Sequence, residues 1–362
     1  MKNYKLLTPG PLTTTQSVKE EMLFDHCTWD ADYKDITQHI RAKILEIANI
    51  DPQKYTVVLM QGSGTFGVEA VVSSVIGKND KCLFLSNGAY GERIIKIADY
   101  NNINYSSIMH DYDTLADTNE VQSILENDAS ITHVMMVHCE TTTGILNDIE
   151  AIGQLCKQFN KTFIVDAMSS FGGIEIDFDK CGIDFLVSSS NKCIQGVPGF
   201  SFIISNKELL IKSKGTARSL SLDLYDQWAG MDEDGKWRFT SPTHSVLAFA
   251  KAISELEEEG GIVARQQRYT QNQALLIERM ANIGINAYVP RDLQSPIITT
   301  FLYDDQNFSF LEMYEFIKDR GFAIYPGKLM DVNTFRIGNI GEIYPEDITK
   351  LCDIFEELLQ KA

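Results

Sequence analysis

Apolar positions along the chain follow two alternating rhythms. Over residues 33–48, Ile36, Ile40, Ile44, Leu45 and Ile47 or Ala48 gather on one side of a helical wheel, which predicts an amphipathic helix. Beyond it come short runs rich in Val, Ile and Phe at 56–60, 82–85, 133–137, 163–165, 185–187 and 202–204. Several of these runs alternate with amphipathic stretches at 67–76, 91–101 and 149–159. Unbroken apolar runs describe strands buried on both faces, so the pattern predicts an α/β fold with a mostly parallel sheet between layers of helices.

The rhythm changes after residue 220. Residues 221–236 are polar and irregular, and 243–258 and 262–283 then read as two long helices. A smaller α+β unit follows, with strands near 297–302, 322–325 and 334–337 and helices near 310–320 and 345–360. The expected division is a large domain over 21–258 and a small α+β domain over 259–362. The amino-terminal segment, 1–20, is expected to return to the small domain and the active site.

Composition narrows the partners rather than the fold. The 362 residues suffice for two domains, and 44% hydrophobic with 23% charged residues exclude disordered, collagen-like and coiled-coil chains. Against 50 Asp and Glu stand only 32 Lys and Arg, a net charge of −18. Such a surface repels a phosphate backbone, and no basic run is long enough to offset it, so nucleic acid is not an expected partner. Seven cysteines at 27, 82, 139, 156, 181, 193 and 352 form no C-x-x-C pair and no metal-ligand cluster, as expected of free thiols in a reducing compartment. No stretch of ~18 apolar residues occurs and the amino terminus lacks a secretory pattern, so the expectation is a cytoplasmic protein with no membrane partner.

Three strand ends carry candidate chemistry. Gly62-Ser63-Gly64-Thr65-Phe66-Gly67 follows the first run and opens a helix, where exposed amides suit an anion such as phosphate. It also satisfies G-x-G-x-x-G, but a dinucleotide site wants an acid about 20 residues on, and the next strand ends Leu85-Ser86-Asn87. A Gly-rich turn with no ligand stays open. Asp166 closes the run 163–165, either meeting a cation or capping its own loop through Ser169 or Ser170. Lys192 follows the run 185–187 among Ser188, Ser189, Ser190 and Asn191, either as a surface lysine or as an amine reaching into a cleft. Taken together, an anion-binding turn, a strand-end Asp and a strand-end Lys match the needs of an aldehyde cofactor with a phosphate arm and a pyridine ring.

On these residues, and on Leu6-Leu7-Thr8-Pro9-Gly10-Pro11, Asp25-His26-Cys27-Thr28-Trp29-Asp30, His138-Cys139-Glu140-Thr141-Thr142-Thr143-Gly144, Asp166-Ala167-Met168-Ser169-Ser170, Ser190-Asn191-Lys192-Cys193 and Phe335-Arg336-Ile337-Gly338-Asn339-Ile340-Gly341, the chain resembles the fold type I pyridoxal-phosphate enzymes of the class V aminotransferase group. The likeness spans essentially the whole chain and is greatest to members that use an amino phosphonate and pyruvate. It implies a large domain with a seven-stranded-type sheet, pyridoxal 5'-phosphate as cofactor, and conversion of 2-aminoethylphosphonate and pyruvate to phosphonoacetaldehyde and L-alanine in phosphonate catabolism. The alternative within the group is an alanine–glyoxylate or serine–pyruvate type of aminotransferase. A cysteine desulfurase needs a mobile reactive cysteine in the small domain, where Cys352 lies in a helical pattern.

The resemblance further implies residue roles. Lys192 bonds the cofactor aldehyde and Asp166 holds the pyridine nitrogen. Ser63, Gly64 and Thr65 hold the phosphate, joined by Thr240 from the second subunit of a homodimer. Thr143 contacts the ring or its hydroxyl, and Tyr90 stacks on it where related enzymes often have Trp. Arg336 takes the substrate carboxylate, against a structural salt bridge as the alternative, and Thr8 and Gly10 border the substrate. His26, His138 and His244 read as structural, Cys193 as pointing away from Lys192, and the acidic run 255–259 as a solvated helix end.

Overall fold

The computed structural model describes residues 4–304, 309–327, 329 and 331–360. The strands, in chain order, begin with β1 (Lys5–Leu6), β2 (Tyr55–Gln61), β3 (Cys82–Ser86), β4 (Tyr105–Met109) and β5 (His133–Val137). A short hairpin of β6 (Cys139–Glu140) and β7 (Ile145–Leu146) precedes β8 (Thr162–Asp166), β9 (Phe185–Ser189) and β10 (Phe200–Asn206). Seven of them form one sheet in the order β2-β10-β9-β8-β5-β3-β4. It is parallel from β9 to β4, while β10 runs antiparallel to both β2 and β9.

The unbroken apolar runs have a direct cause. Neighbouring residues of one strand enter different cores: Val134, Val165 and Leu186 face one helical layer with Ile40, whereas Met135, Ile164 and Val187 face the other with Val71. With side chains alternating across the pleat, a sheet covered on both sides demands apolar residues at every position.

A second, three-stranded sheet is antiparallel, in the order β11 (Ile298–Leu302), β14 (Thr334–Gly338), β13 (Tyr325–Pro326). Leu276, Phe301, Phe335, Leu351 and Phe355 form its core, and Leu7 from the amino-terminal segment joins them. The run expected as one strand over 322–325 is two: β12 (Phe322–Ala323) pairs in parallel with β1, and β13 then pairs with β14.

Several elements escaped the periodicity, and three of them show why. Strand β4 lies at the sheet edge with only Ile108 buried, so it lacks an apolar run, and a helix spans Thr118–Asn127. Within 221–236, expected to be irregular, a helix covers Leu224–Asp234, capped by Asp223. Its buried positions are Leu224, Gln227 and Met231, and the Gln227 amide donates to the Leu59 carbonyl. A polar residue at an inward position erased the helical pattern.

Candidate active site

The carboxyl ends of β2, β8 and β9 converge on a cleft of about 300 Å³ whose walls include Ser63, Gly64, Thr65, Tyr90, Asp166 and Lys192. Open α/β sheets place ligands at this edge. A larger open groove, near 970 Å³, lies between Glu46–Ile50 and Gly260–Val263, and none of the sequence candidates lines it.

Asp166 ends β8 with only 7% of its surface exposed. One carboxylate oxygen accepts a hydrogen bond from the Met168 amide at 2.9 Å. Burial, with the nearby charge of Glu140, pushes its pKa up to about 6, against the opposing pull of Lys192 and Arg93. The loop-capping alternative is thus met only in part: the amide bond exists, but Ser170 Oγ is engaged with His138 Nδ1 at 2.9 Å. Hydrogen-bonded to one neutral donor, the carboxyl faces the cleft, and the charges of Lys192 and Arg93 offset its burial only in part.

Lys192 lies beyond β9, and Nζ donates to the Pro9 carbonyl at 2.6 Å. Burial lowers its pKa, opposed by Tyr90, Cys193 and Asp166. Gly10 explains how the amino-terminal segment comes so close. Its φ is +119°, and a Cβ there would stand 2.8 Å from Lys192 Nζ, so only glycine serves.

Ser63 caps the helix Gly64–Val75 with extended backbone but no side-chain hydrogen bond, and while the Phe66 amide turns back to the Ser63 carbonyl, the Gly64 and Thr65 amides are left for a ligand. A Cβ on Gly64 would collide with the Met168 side chain, and the Met168 amide in turn holds Asp166. The anion-binding turn and the strand-end acid are therefore packed as one unit.

Tyr90 is held from a distance. The helix Ala89–Tyr100 begins at Gly88, which has no capping side chain. Glu140 supplies the cap: one carboxylate oxygen accepts from the Tyr90 and Gly91 amides, both at 3.2 Å. Its other oxygen accepts from the Thr142 amide at 3.0 Å and hydroxyl at 2.6 Å. Neither Glu140 nor Arg93, which lines the cleft one turn beyond Tyr90, was singled out from sequence. The spacing of three residues from Tyr90 was the available signal for Arg93.

Arg336, on β14 and 3% exposed, donates from Nε to Pro326 O at 3.0 Å and from Nη1 to Thr141 O at 2.8 Å. Burial lowers its pKa, countered first by Tyr90 and also by Tyr325 and Glu140. Among the described residues its hydrogen-bond partners are these two carbonyls and the Tyr90 side chain, and no carboxylate ion pair includes it, so the salt-bridge alternative is not met. Its guanidinium is hydrogen-bonded to Tyr90, which lines the cleft, and so lies next to the cleft rather than among its lining residues.

The remaining candidates sit outside the cleft. The Thr143 hydroxyl donates to Tyr112 O at 2.9 Å, and Thr8 Oγ1 donates to Pro11 O at 2.6 Å. Thr240 is exposed and absent from the cleft of its own chain. Burial pushes the Cys193 thiol up to about 12, and Cys352, also near 12, is buried in the small core, which leaves neither poised for sulfur chemistry. The acidic run expected to be solvated is not wholly so: Glu255 accepts from Thr15 and Ser17, and Glu259 clasps Arg265 and Arg268.

A family model described as aminotransferase class-V matches residues 26–329. The chain belongs to the class-V aminotransferase family. This family and its fold depend on pyridoxal phosphate. Over 359 residues this aminotransferase is 58% identical to the 2-aminoethylphosphonate–pyruvate transaminase of Lysinibacillus sphaericus, covering 99% of this chain and 98% of the relative. It is 54% identical to a bifunctional phosphonoacetaldehyde hydrolase/aminoethylphosphonate transaminase of Clostridioides difficile, covering 99% of this chain and 57% of that longer protein. Among solved structures, an alanine–glyoxylate aminotransferase from Nostoc sp. superposes with a TM-score of 0.91 at 22% identity, over 99% of this chain and 96% of the other. At that identity the likeness speaks for the fold alone.

Proposed function

We propose that this aminotransferase transfers the amino group of 2-aminoethylphosphonate to pyruvate, giving phosphonoacetaldehyde and L-alanine, with pyridoxal 5'-phosphate as its cofactor. The reading is carried by the 58% identity, over nearly the whole of both chains, to a protein of that activity. A role in phosphonate breakdown is supported by the Clostridioides relative, whose name joins such a transaminase to a phosphonoacetaldehyde hydrolase.

The cleft's residues fit the cofactor. Free amides at Gly64 and Thr65 suit a phosphate, the buried Asp166 carboxyl suits a ring N–H, and the Lys192 amine suits an aldehyde. Bound pyridoxal phosphate supplies an aldehyde for the substrate amine and a ring that holds the electron pair left when the adjacent C–H proton departs.

The chain's own groups do the rest. Lys192 Nζ would take the proton from the carbon bearing the amine and deliver it to the carbon that was the cofactor aldehyde, a task helped by the burial that lowers its pKa. Asp166 keeps a proton on the ring nitrogen, and Tyr90 forms an aromatic wall. Arg336 receives the pyruvate carboxylate, its guanidinium matching that anion in plane. Thr8 and Gly10 border the substrate through the backbone beside Lys192. Thr143 serves the ring only indirectly, through the loop its hydroxyl fastens to Tyr112.

We place Thr240 at the phosphate of a partner subunit in a homodimer, since it is exposed in its own chain beside the exposed Phe239 ring. The seven free cysteines support a cytoplasmic setting. No described helix is long and apolar enough to cross a membrane.

Alanine formation from pyruvate is the direct assay. With 2-aminoethylphosphonate as donor it is expected to run at least tenfold faster, in kcat/KM, than with serine or other ordinary amino acids as donor. A preference for ordinary amino acids overturns the donor and favours the alanine–glyoxylate or serine–pyruvate type. Arg336→Lys retains charge but loses the fork, and is expected to raise KM for pyruvate about 10–100-fold, the scale of one charge-assisted pairing, with a smaller change in kcat. Steady-state kinetics with pyruvate varied will check it.

A further inference from the structure

We propose that Arg93 is a phosphate-binding residue of the cofactor site, its guanidinium completing on the open side the cradle that Ser63, Gly64 and Thr65 begin. The inference rests on the pyridoxal-phosphate reading above.

Arg93 and Tyr90 are three apart on one helix, so both side chains emerge over the same cleft, and both line it. The guanidinium rests on the Tyr90 ring, with its central carbon 4.8 Å from the ring centroid. That contact aims the fork at Thr65, whose Oγ1 is 3.5 Å from Nη1. This is the outer limit of a hydrogen bond, so most donors of the fork remain unspent beside the helix amides.

Charge makes the position informative. Six arginines, Arg41, Arg238, Arg265, Arg268, Arg279 and Arg320, are paired with carboxylates. Among the described residues Arg93 has a neutral hydroxyl and a neutral ring as its partners and no carboxylate ion pair, although Glu92 is its chain neighbour. The Glu92 carboxylate is taken by the Tyr112 hydroxyl at 2.5 Å. Meanwhile the cleft floor holds Asp166 with Glu140 close behind, in a chain of net charge −18. The helix amides and hydroxyls assigned to the phosphate are all neutral and must hold a dianion against that field, and a planar cation next to Thr65 offsets it.

Titration of the full-length protein, freed of cofactor, with pyridoxal 5'-phosphate and separately with pyridoxal tests this. Absorbance and tryptophan fluorescence report binding without any turnover. Arg93→Gln is expected to weaken pyridoxal phosphate at least tenfold while leaving pyridoxal within about twofold, and Arg93→Lys is expected to recover part of the loss. Unchanged affinity for pyridoxal phosphate overturns the proposal. So does an equal loss for both ligands, which would make Arg93 a prop for Tyr90 alone. If the wild-type protein binds neither, the cofactor reading itself falls, and the proposal with it.

Discussion

Lys192→Ala is expected to abolish transamination and remove the visible absorbance band that an amine-bonded pyridoxal aldehyde produces. Loss of proton transfer alone costs about 10²–10⁴-fold in rate, and loss of the covalent attachment adds to it. The fold is expected to persist. Nζ makes one hydrogen bond, to the Pro9 carbonyl at 2.6 Å, and the shortened side chain leaves that carbonyl facing the cleft, where water can reach it. Circular dichroism should therefore match wild type while absorbance and alanine formation do not. Borohydride should trap cofactor on the wild-type chain and not on the variant. A variant retaining both band and rate would remove Lys192 from the reaction.

Asp166→Asn is expected to separate stability from activity. The amide keeps the shape and can still accept from the Met168 amide, but carries no charge to hold a proton on the ring nitrogen. A loss of roughly 10²–10⁴ in kcat follows, as for removal of a positioned acid–base group. Cofactor-free protein should respond in the opposite sense. Burial, with Glu140 nearby, raises the Asp166 pKa from 3.8 in the unfolded chain to about 6.

Above pH 6 the folded protein carries an unfavourable buried charge, and that cost fades as pH falls from 6 and is lost below 3.8, where both states are protonated. At pH 8 the cofactor-free asparagine variant should thus exceed wild type in unfolding free energy by up to about 3 kcal/mol, and the difference should close as pH falls below 3.8. His138, whose burial depresses its pKa to about 4, works the other way: its contribution is present above 6.5 and lost as pH falls from there toward 4. It is common to both proteins and cancels in the difference. Urea unfolding at three pH values checks the prediction; a variant less stable than wild type at pH 8 overturns it.

Much of the scaffold was legible in the chain because a sheet covered on both faces needs apolar residues at consecutive positions. Elements that break that rule were not legible. Strand β4 is an edge strand with polar residues, and the helix Leu224–Asp234 hides Gln227 at an inward position, where its amide reaches Leu59 O. The site divides along the same line. Ser63, Gly64, Thr65, Asp166 and Lys192 are reached directly from strand ends, and the cleft contains all five.

Residues at greater remove depended on partners that the local sequence does not name. The Thr143 hydroxyl turned to Tyr112 O rather than to the cleft. Glu140, within a quoted motif but with no assigned role, became the cap of a helix 50 positions earlier.

By itself, then, the sequence determined the alternation of strands and helices and the types of group at the strand ends, because backbone preference and side-chain period act over a few residues. Only the tertiary structure decided which distant groups meet. Pro9 covers Lys192 across 183 positions, and Arg336 reaches the Thr141 carbonyl across 195. Closing such loops is decided by the whole packing: β1 paired with β12 brings the amino-terminal turn over the lysine, and a glycine at position 10 leaves room for it there.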